Sequence, residues 1–319
     1  MRSRFALFLL VASSSTILVL AAACGSSDAT PSKLPLIEGG GKKDSEPEPE
    51  QDAEVADTYI PPGTPGRIYG QTADTLYLYE PESADLKTIG KFSCLEQDEA
   101  VVDLAVDRTG TMFATTGFGA AARFLAVDPI TAKCTEIRKA TGVDEMYPNA
   151  LSFVPAGTLD PAKEALVGYT QVGFGPATSY VRIDTKTGVQ TTIGTLNPTA
   201  TGAQYESSGD LISLIQDNKR TFLTVKLLAD AGAAGTDLLA EVDPKTGKLK
   251  KVIGDTKQTN IFGLGYWAGK GYGFSDNGKI AQIDMATGAA SVVKTLTSPD
   301  GGGIPWYGAG VTTEAPVTP

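Results

Sequence analysis

No histidine occurs anywhere in the 319 residues. Its absence excludes Ser-His-Asp and Cys-His nucleophile systems and any zinc, copper or iron site built on imidazole. Cysteine is scarce at three residues, and there are only four methionines and two tryptophans. A basic surplus is missing too. Against 37 Asp and Glu stand 27 Lys and Arg, a formal net charge of −10, which argues against nucleic acid and against charge-driven docking on an anionic membrane. No stretch carries a long helical period, so the chain reads as all-β.

What is present begins with an export signal. Arg2 and Arg4 precede an apolar run from Phe5 to Leu20, interrupted only by Ser13 to Thr16, and Ala21-Ala22-Ala23 leads into Cys24. The run is too short and too rich in serine for a membrane-spanning helix. The junction resembles the lipobox of bacterial lipoproteins, which implies lipidation (palmitate among the acyl groups) of Cys24. It departs from the pattern at Ala21, where Leu is preferred, with Leu20 one place further back. Ordinary cleavage after Ala23 therefore stays open. Residues 24–65 are rich in Gly, Ser, Pro and acid, including Glu46-Pro47-Glu48-Pro49-Glu50. That composition predicts an extended, disordered tether behind a signal of residues 1–23. The expected address is the cell envelope, periplasmic or surface-exposed. Gly25 rather than Asp after Cys24 favours the outer membrane.

The remainder is organised by a recurring hairpin. Asp243-Pro244-Lys245-Thr246-Gly247 has counterparts at Asp128-Pro129-Ile130-Thr131-Ala132, Asp184-Thr185-Lys186-Thr187-Gly188 and Asp284-Met285-Ala286-Thr287-Gly288, with a worn copy at Glu80-Pro81-Glu82-Ser83-Ala84. Asp opens the turn by bonding to its own backbone, Pro where present fixes φ, and Gly supplies the left-handed residue that leads into the return strand. Short β-branched and aromatic runs precede each hairpin, giving four strands per repeat, A to D from the axis outward. The first repeat has no strand A of its own, and Gly308 to Thr312 matches one at the far end. A single five-bladed β-propeller over residues 66–313 follows, closed by the C-terminal strand, with residues 314–319 as a tail. An open stack of hairpins is the competing arrangement. The leading A positions, Asp103, Ala150, Asp210, Gly263 and Gly308, are mostly small, as a crowded axis requires.

Cys94 and Cys134 remain in the folded part, and two cysteines in an exported domain usually pair. Along ideal strands they fall near opposite ends of a blade, so two free thiols stay open. Asp103 and Asp210 are the acids that could serve carboxylate chemistry at the axis, which glycoside hydrolysis would need as a spaced pair; bonding to backbone N–H is the alternative. The D-to-A linkers all arrive at one mouth of the ring, carrying Glu99, Tyr147, Asn149, Tyr205, Glu206, Asn260, Trp306 and Tyr307. Rings mixed with amides suit a glycan or a protein ligand, unless the rings plug gaps between blades. No metal site and no cofactor are expected.

With these repeats in view, residues 66–313 resemble the YVTN- and quinoprotein-like β-propellers of bacterial lipoproteins. The resemblance implies the fold and little about function. Three functions compete: a non-catalytic, lipid-anchored binding or scaffolding module, a carboxylate-dependent carbohydrate-active enzyme, and a structural spacer in an envelope complex. A monomer held to the membrane through its N-terminal lipid is expected.

Overall fold

In a computed structural model of the chain, residues 67–318 are described, apart from 118–121, 142–144, 172–177, 198, 200 and 231–234. The export signal, Cys24 and the tether expected over residues 1–65 lie outside them. Twenty strands form five four-stranded antiparallel sheets. Blade 1 runs β20 (Gly308–Gly310), β1 (Ile68–Gln71), β2 (Thr75–Glu80) and β3 (Asp85–Lys91) from axis to rim. Blade 2 is β4 (Ala100–Val106), β5 (Met112–Gly117), β6 (Arg123–Val127) and β7 (Cys134–Lys139). Blade 3 is β8 (Ala150–Val154), β9 (Ala165–Gln171), β10 (Thr178–Ile183) and β11 (Gln190–Thr195). Blade 4 is β12 (Tyr205–Leu214), β13 (Arg220–Leu227), β14 (Leu238–Val242) and β15 (Leu249–Asp255). Blade 5 is β16 (Ile261–Trp267), β17 (Lys270–Ser275), β18 (Lys279–Asp284) and β19 (Ala290–Thr295).

This is a five-bladed β-propeller. The chain's last strand completes the first blade, with Gly70 facing Ala309 across the β1–β20 ladder. Each axial strand touches the next around the ring, β4 to β8 to β12 to β16 to β20 and back to β4. No inner edge is left to template another chain.

The hairpin repeat forms as its chemistry requires. Asp243 Oδ1 accepts from the N–H groups of Lys245 and Thr246, and the Gly247 N–H closes the turn on the Asp243 carbonyl at 2.7 Å. Gly247 sits at φ 67°, and Ala132 and Ala84 hold the same left-handed place in their copies at 57° and 55°. At Gly247 a second constraint applies. A Cβ there would meet Tyr180 of blade 3 at 2.3 Å, so each turn also packs against a neighbouring sheet.

The hydrophobic core lies between blades. Successive residues of a strand serve opposite faces. Ile68 joins blades 4 and 5 in one cluster, whereas Tyr69 joins blade 2 in another. Phe113 and Phe124 face blade 3, while Met112 and Leu125 face blade 1. Cys94 and Cys134 are bonded, with Cα atoms 5.4 Å apart. Cys94 lies beyond β3 in the D-to-A connection, which folds back over β7. The ideal-strand placement at opposite ends of a blade therefore does not apply.

Two boundaries differ from the sequence reading. Tyr205 and Glu206, expected in a linker, belong to β12, because a bulge between Ser207 and Leu211 lets the strand continue. The residues after β20, of which 314–319 are expected as a tail, form a strap. Thr313 O accepts from Ile215 N at 2.9 Å and Pro316 O from Ala268 N at 2.7 Å, so the strap ties the A–B turns of blades 4 and 5.

Candidate functional site

Antiparallel alternation puts the D-to-A connections and B–C turns at one end of the ring, and the A–B and C–D turns at the other. The first end is the mouth where sequence placed the candidate residues. At the axis, Asp103 and Asp210 are fully buried. Asp103 accepts from Leu104 N at 2.9 Å and, across to blade 3, from Leu151 N at 2.6 Å. Asp210 repeats this with Leu211 N at 2.6 Å and, in blade 5, Leu264 N at 2.8 Å. The two carboxyls also bond to each other. Burial pushes both well above the usual carboxylate range, the backbone N–H groups opposing it only in part. These acids hold adjacent blades together. Of the two readings the sequence left open for them, bonding to backbone N–H is the one their geometry shows.

The aromatic mouth also changes. Trp306 is wholly buried, edge-on to Tyr77 and Phe274 at centroid distances of 5.3 and 5.2 Å, with its indole N–H on the Gly278 carbonyl. Tyr147 is buried against Phe124, donates its hydroxyl proton to Gly188 O at 2.8 Å, and has its phenol pushed up to about 12 by burial. Both rings fill space between blades, so neither is a platform for a ligand. Tyr205 and Tyr307 remain half-buried at the mouth, as do Asn149 and Asn260. Glu99 is taken up by the guanidinium of Arg123.

Asn260 leads to a polar cluster that sequence reading missed. It accepts from the ammonium of Lys226, a nearly buried lysine at the end of β13, and donates to Asp276 Oδ2 at 2.7 Å. Lys226 stands 3.7 Å from Asp237 Oδ1, and the other oxygen of Asp237 accepts from Ile261 N, joining blades 4 and 5. Burial raises the Asp237 carboxyl to about 6, with the Ile261 N–H and the charge on Lys226 pulling the other way. Nothing in the local sequence marks Lys226 or Asp237, because strand ends and B–C turns are usually polar and exposed. Their burial comes from the next blade.

The mouth end also concentrates buried oxygens without a hydrogen-bond partner among the described residues: Gln71 Oε1, Asn149 Oδ1, Thr178 Oγ1 and Ser275 Oγ. All lie at starts of strands A and C or ends of strand B. The described residues contain no cluster of three or more Cys, Asp or Glu side chains placed to hold a metal. Nor do they contain a helix long and apolar enough to cross a membrane.

No family model and no curated protein matches the chain. Among solved structures it is similar to a chain of a nidogen/laminin complex, with 11% identity, TM-score 0.42, and coverage of 78% of this chain and 82% of that one. Against TolB from Acinetobacter baumannii the values are 16%, 0.41, 73% and 54%. Against BamB from Moraxella catarrhalis they are 17%, 0.34, 75% and 63%. The chain thus spans about half of that TolB chain and under two thirds of that BamB chain. Likeness this remote carries no function, and the five-blade architecture rests on the strand order itself.

Proposed function

We propose that this propeller is a non-catalytic binding module of the cell envelope, held by lipid on Cys24, that takes a hydroxyl-rich ligand, a glycan or a polar protein segment, at its D-to-A mouth. The four unpartnered buried oxygens at that end, Gln71 Oε1, Asn149 Oδ1, Thr178 Oγ1 and Ser275 Oγ, carry the reading. Buried polar atoms are nearly always satisfied, and oxygens the fold leaves unpaired need donors from water or a ligand. Tyr205 and Tyr307 supply partly open rings beside them, and Asn260 supplies an amide. The chemistry side supports binding over turnover. The chain has no histidine, and its axial acids are spent on backbone N–H groups and on each other.

A glycan and peptidoglycan-fragment screen on the full-length protein tests this. Binding without turnover is expected, weakened several-fold by Tyr205→Ala with Tyr307→Ala, each ring contributing about 0.5–1.5 kcal/mol. Turnover of any fragment, or affinity indifferent to both tyrosines and to Asn260→Ala, would remove the proposal. Cys24→Ala should move the protein from membranes to the soluble fraction, and intact mass of the mature chain should show acylation.

A further inference from the structure

Two crevices open on the face opposite the mouth, at equivalent places between blades. One, about 520 Å³, lies between blades 4 and 5 and is walled in part by Arg220, Lys251, Tyr266 and Met285. Its cations are matched by acids: Arg220 reaches Glu241 at 2.9 Å and Asp217 at 3.1 Å, and Lys251 reaches Glu241 at 3.6 Å.

The other, about 390 Å³, lies between blades 2 and 3, and there the matching fails. Its acids are engaged by their own turns. Asp107 Oδ1 accepts from Thr109 N at 2.8 Å, Thr109 Oγ1 at 2.7 Å and Thr111 N at 2.9 Å. Asp184 Oδ1 accepts from Lys186 N at 3.0 Å, Thr187 N at 2.9 Å and Thr187 Oγ1 at 3.0 Å. Glu164 takes Arg108 N at 2.9 Å on one oxygen and the Thr313 hydroxyl of the strap on the other. Two of the three cations are not so closely engaged. Arg182 pairs with Asp160 at 3.7 Å, whereas the side chains of Arg108 and Lys163 make no hydrogen bond or close ion pair among the described residues and feel Glu164, Asp160 and Asp184 only at longer range. The guanidinium of Arg108 and the ammonium of Lys163 thus line the crevice without a close protein partner, beside the Asp160-paired guanidinium of Arg182.

We propose that this crevice binds a hydroxylated organic anion of monosaccharide size, a sugar acid or a sugar phosphate. Guanidinium groups grip a carboxylate or phosphate through two parallel bonds, and Lys163 adds a point charge. The second oxygens of Asp107 and Asp184 are left to accept from sugar hydroxyls, and Phe113 and Phe153 close the floor against an apolar ring face. The site stands on different residues, at the other end of the ring, from those of the mouth.

Calorimetric titration of the full-length protein in detergent with glucuronate, glucose 6-phosphate, glucose and inorganic phosphate tests it. At low salt one or both sugar anions should bind, glucose at least about tenfold more weakly, and added salt should weaken the anion. Binding of glucuronate alone or of glucose 6-phosphate alone supports the site and identifies its anion. Arg108→Gln with Lys163→Gln should lower affinity about tenfold and leave the melting temperature unchanged, since both side chains are exposed. Tyr205→Ala with Tyr307→Ala should have no effect. The proposal is overturned if neither sugar anion binds, if glucose binds as well, or if inorganic phosphate binds as tightly as the sugar phosphate. Affinity that survives the triple change including Arg182→Gln also overturns it. Loss of binding in the tyrosine variant instead would move the site to the mouth, leaving the mouth reading intact.

Discussion

The axial ends of blades 2 and 4 differ from those of blades 3, 5 and 1. The former carry Asp103 in β4 and Asp210 in β12; the latter have Ala150, Gly263 and Gly308 at the corresponding place. Each acid reaches over to a neighbour's backbone, Leu151 N in blade 3 and Leu264 N in blade 5. The small residues leave room for that reach. A Cβ on Gly308 would lie 2.2 Å from Asp103 Oδ1 and 2.3 Å from Gln71 Nε2. Acid and small residue thus alternate around the axis, but a ring with an odd number of blades cannot alternate throughout. Blades 5 and 1 both lack the acid, and there the backbones abut, a Cβ on Gly263 falling 2.5 Å from the Gly308 carbonyl carbon. Blades 1 and 2 are joined instead by Gln71, whose amide donates to Val102 O at 3.2 Å.

The severest way to break this arrangement is to end the chain at Tyr307. Losing β20 and the strap leaves β1 an open edge, and the domain is expected to unfold or self-associate on size exclusion; a monomer with the full-length melting temperature would count against closure by β20. Next comes Gly308→Val, which drives a branched side chain onto Asp103 and Gln71. Overpacking plus a disturbed buried bond should cost about 3–4 kcal/mol in urea unfolding. Gly302→Val, in an exposed segment where a Cβ would meet only Ser298 Oγ at 3.5 Å and Asp300 Oδ1 at 3.8 Å, should change stability little.

Asp103→Ala strands two buried N–H groups while relieving a buried carboxyl, so a loss of about 2 kcal/mol is expected. Ala150→Gly in the neighbouring blade should cost less than half of that. A further effect is on pH dependence. Asp237 has a raised folded-state pKa of about 6 against about 3.9 unfolded, so the folded state binds more protons. Its contribution is therefore lost as pH rises from about 4 through about 6, and the raised Asp103–Asp210 pair and Glu164 act in the same sense. Surface acids with lowered values, such as Asp184 and Asp284, oppose this only at acid pH, where they become protonated. Melting measured from pH 5 to 8 should show stability falling by about 1 kcal/mol or more, with a shallower slope in Asp210→Asn. A rise across that range would show that the axial acids are ionised and paired with cations.

Much of the fold was legible in the sequence, and little of the site was. The hairpins at Asp128, Asp184, Asp243 and Asp284 are local events, fixed by residues within five positions of one another. Strand alternation at Ile68–Tyr69 or Met112–Phe113 likewise announces two buried faces without saying what covers them. Trp306 and Tyr147 illustrate the limit. An aromatic beside Pro305 or Pro148 in a connection reads the same whether it faces solvent or the neighbouring sheet, and the choice belongs to residues far along the chain, such as Phe274 and Phe124.

The sequence by itself determined the all-β class, the blade count, closure by the last strand and the absence of imidazole chemistry. These depend on local turn geometry, period-two patterning and composition. Only the tertiary structure decided that Asp103 and Asp210 meet at the axis, that Lys226 is buried against Asp237, and that Arg108 and Lys163 go unmatched while Arg220 and Lys251 do not. Each of those outcomes depends on which side chains another blade presents within a few ångströms, and charge, burial and hydrogen-bond supply are set at that distance rather than along the chain.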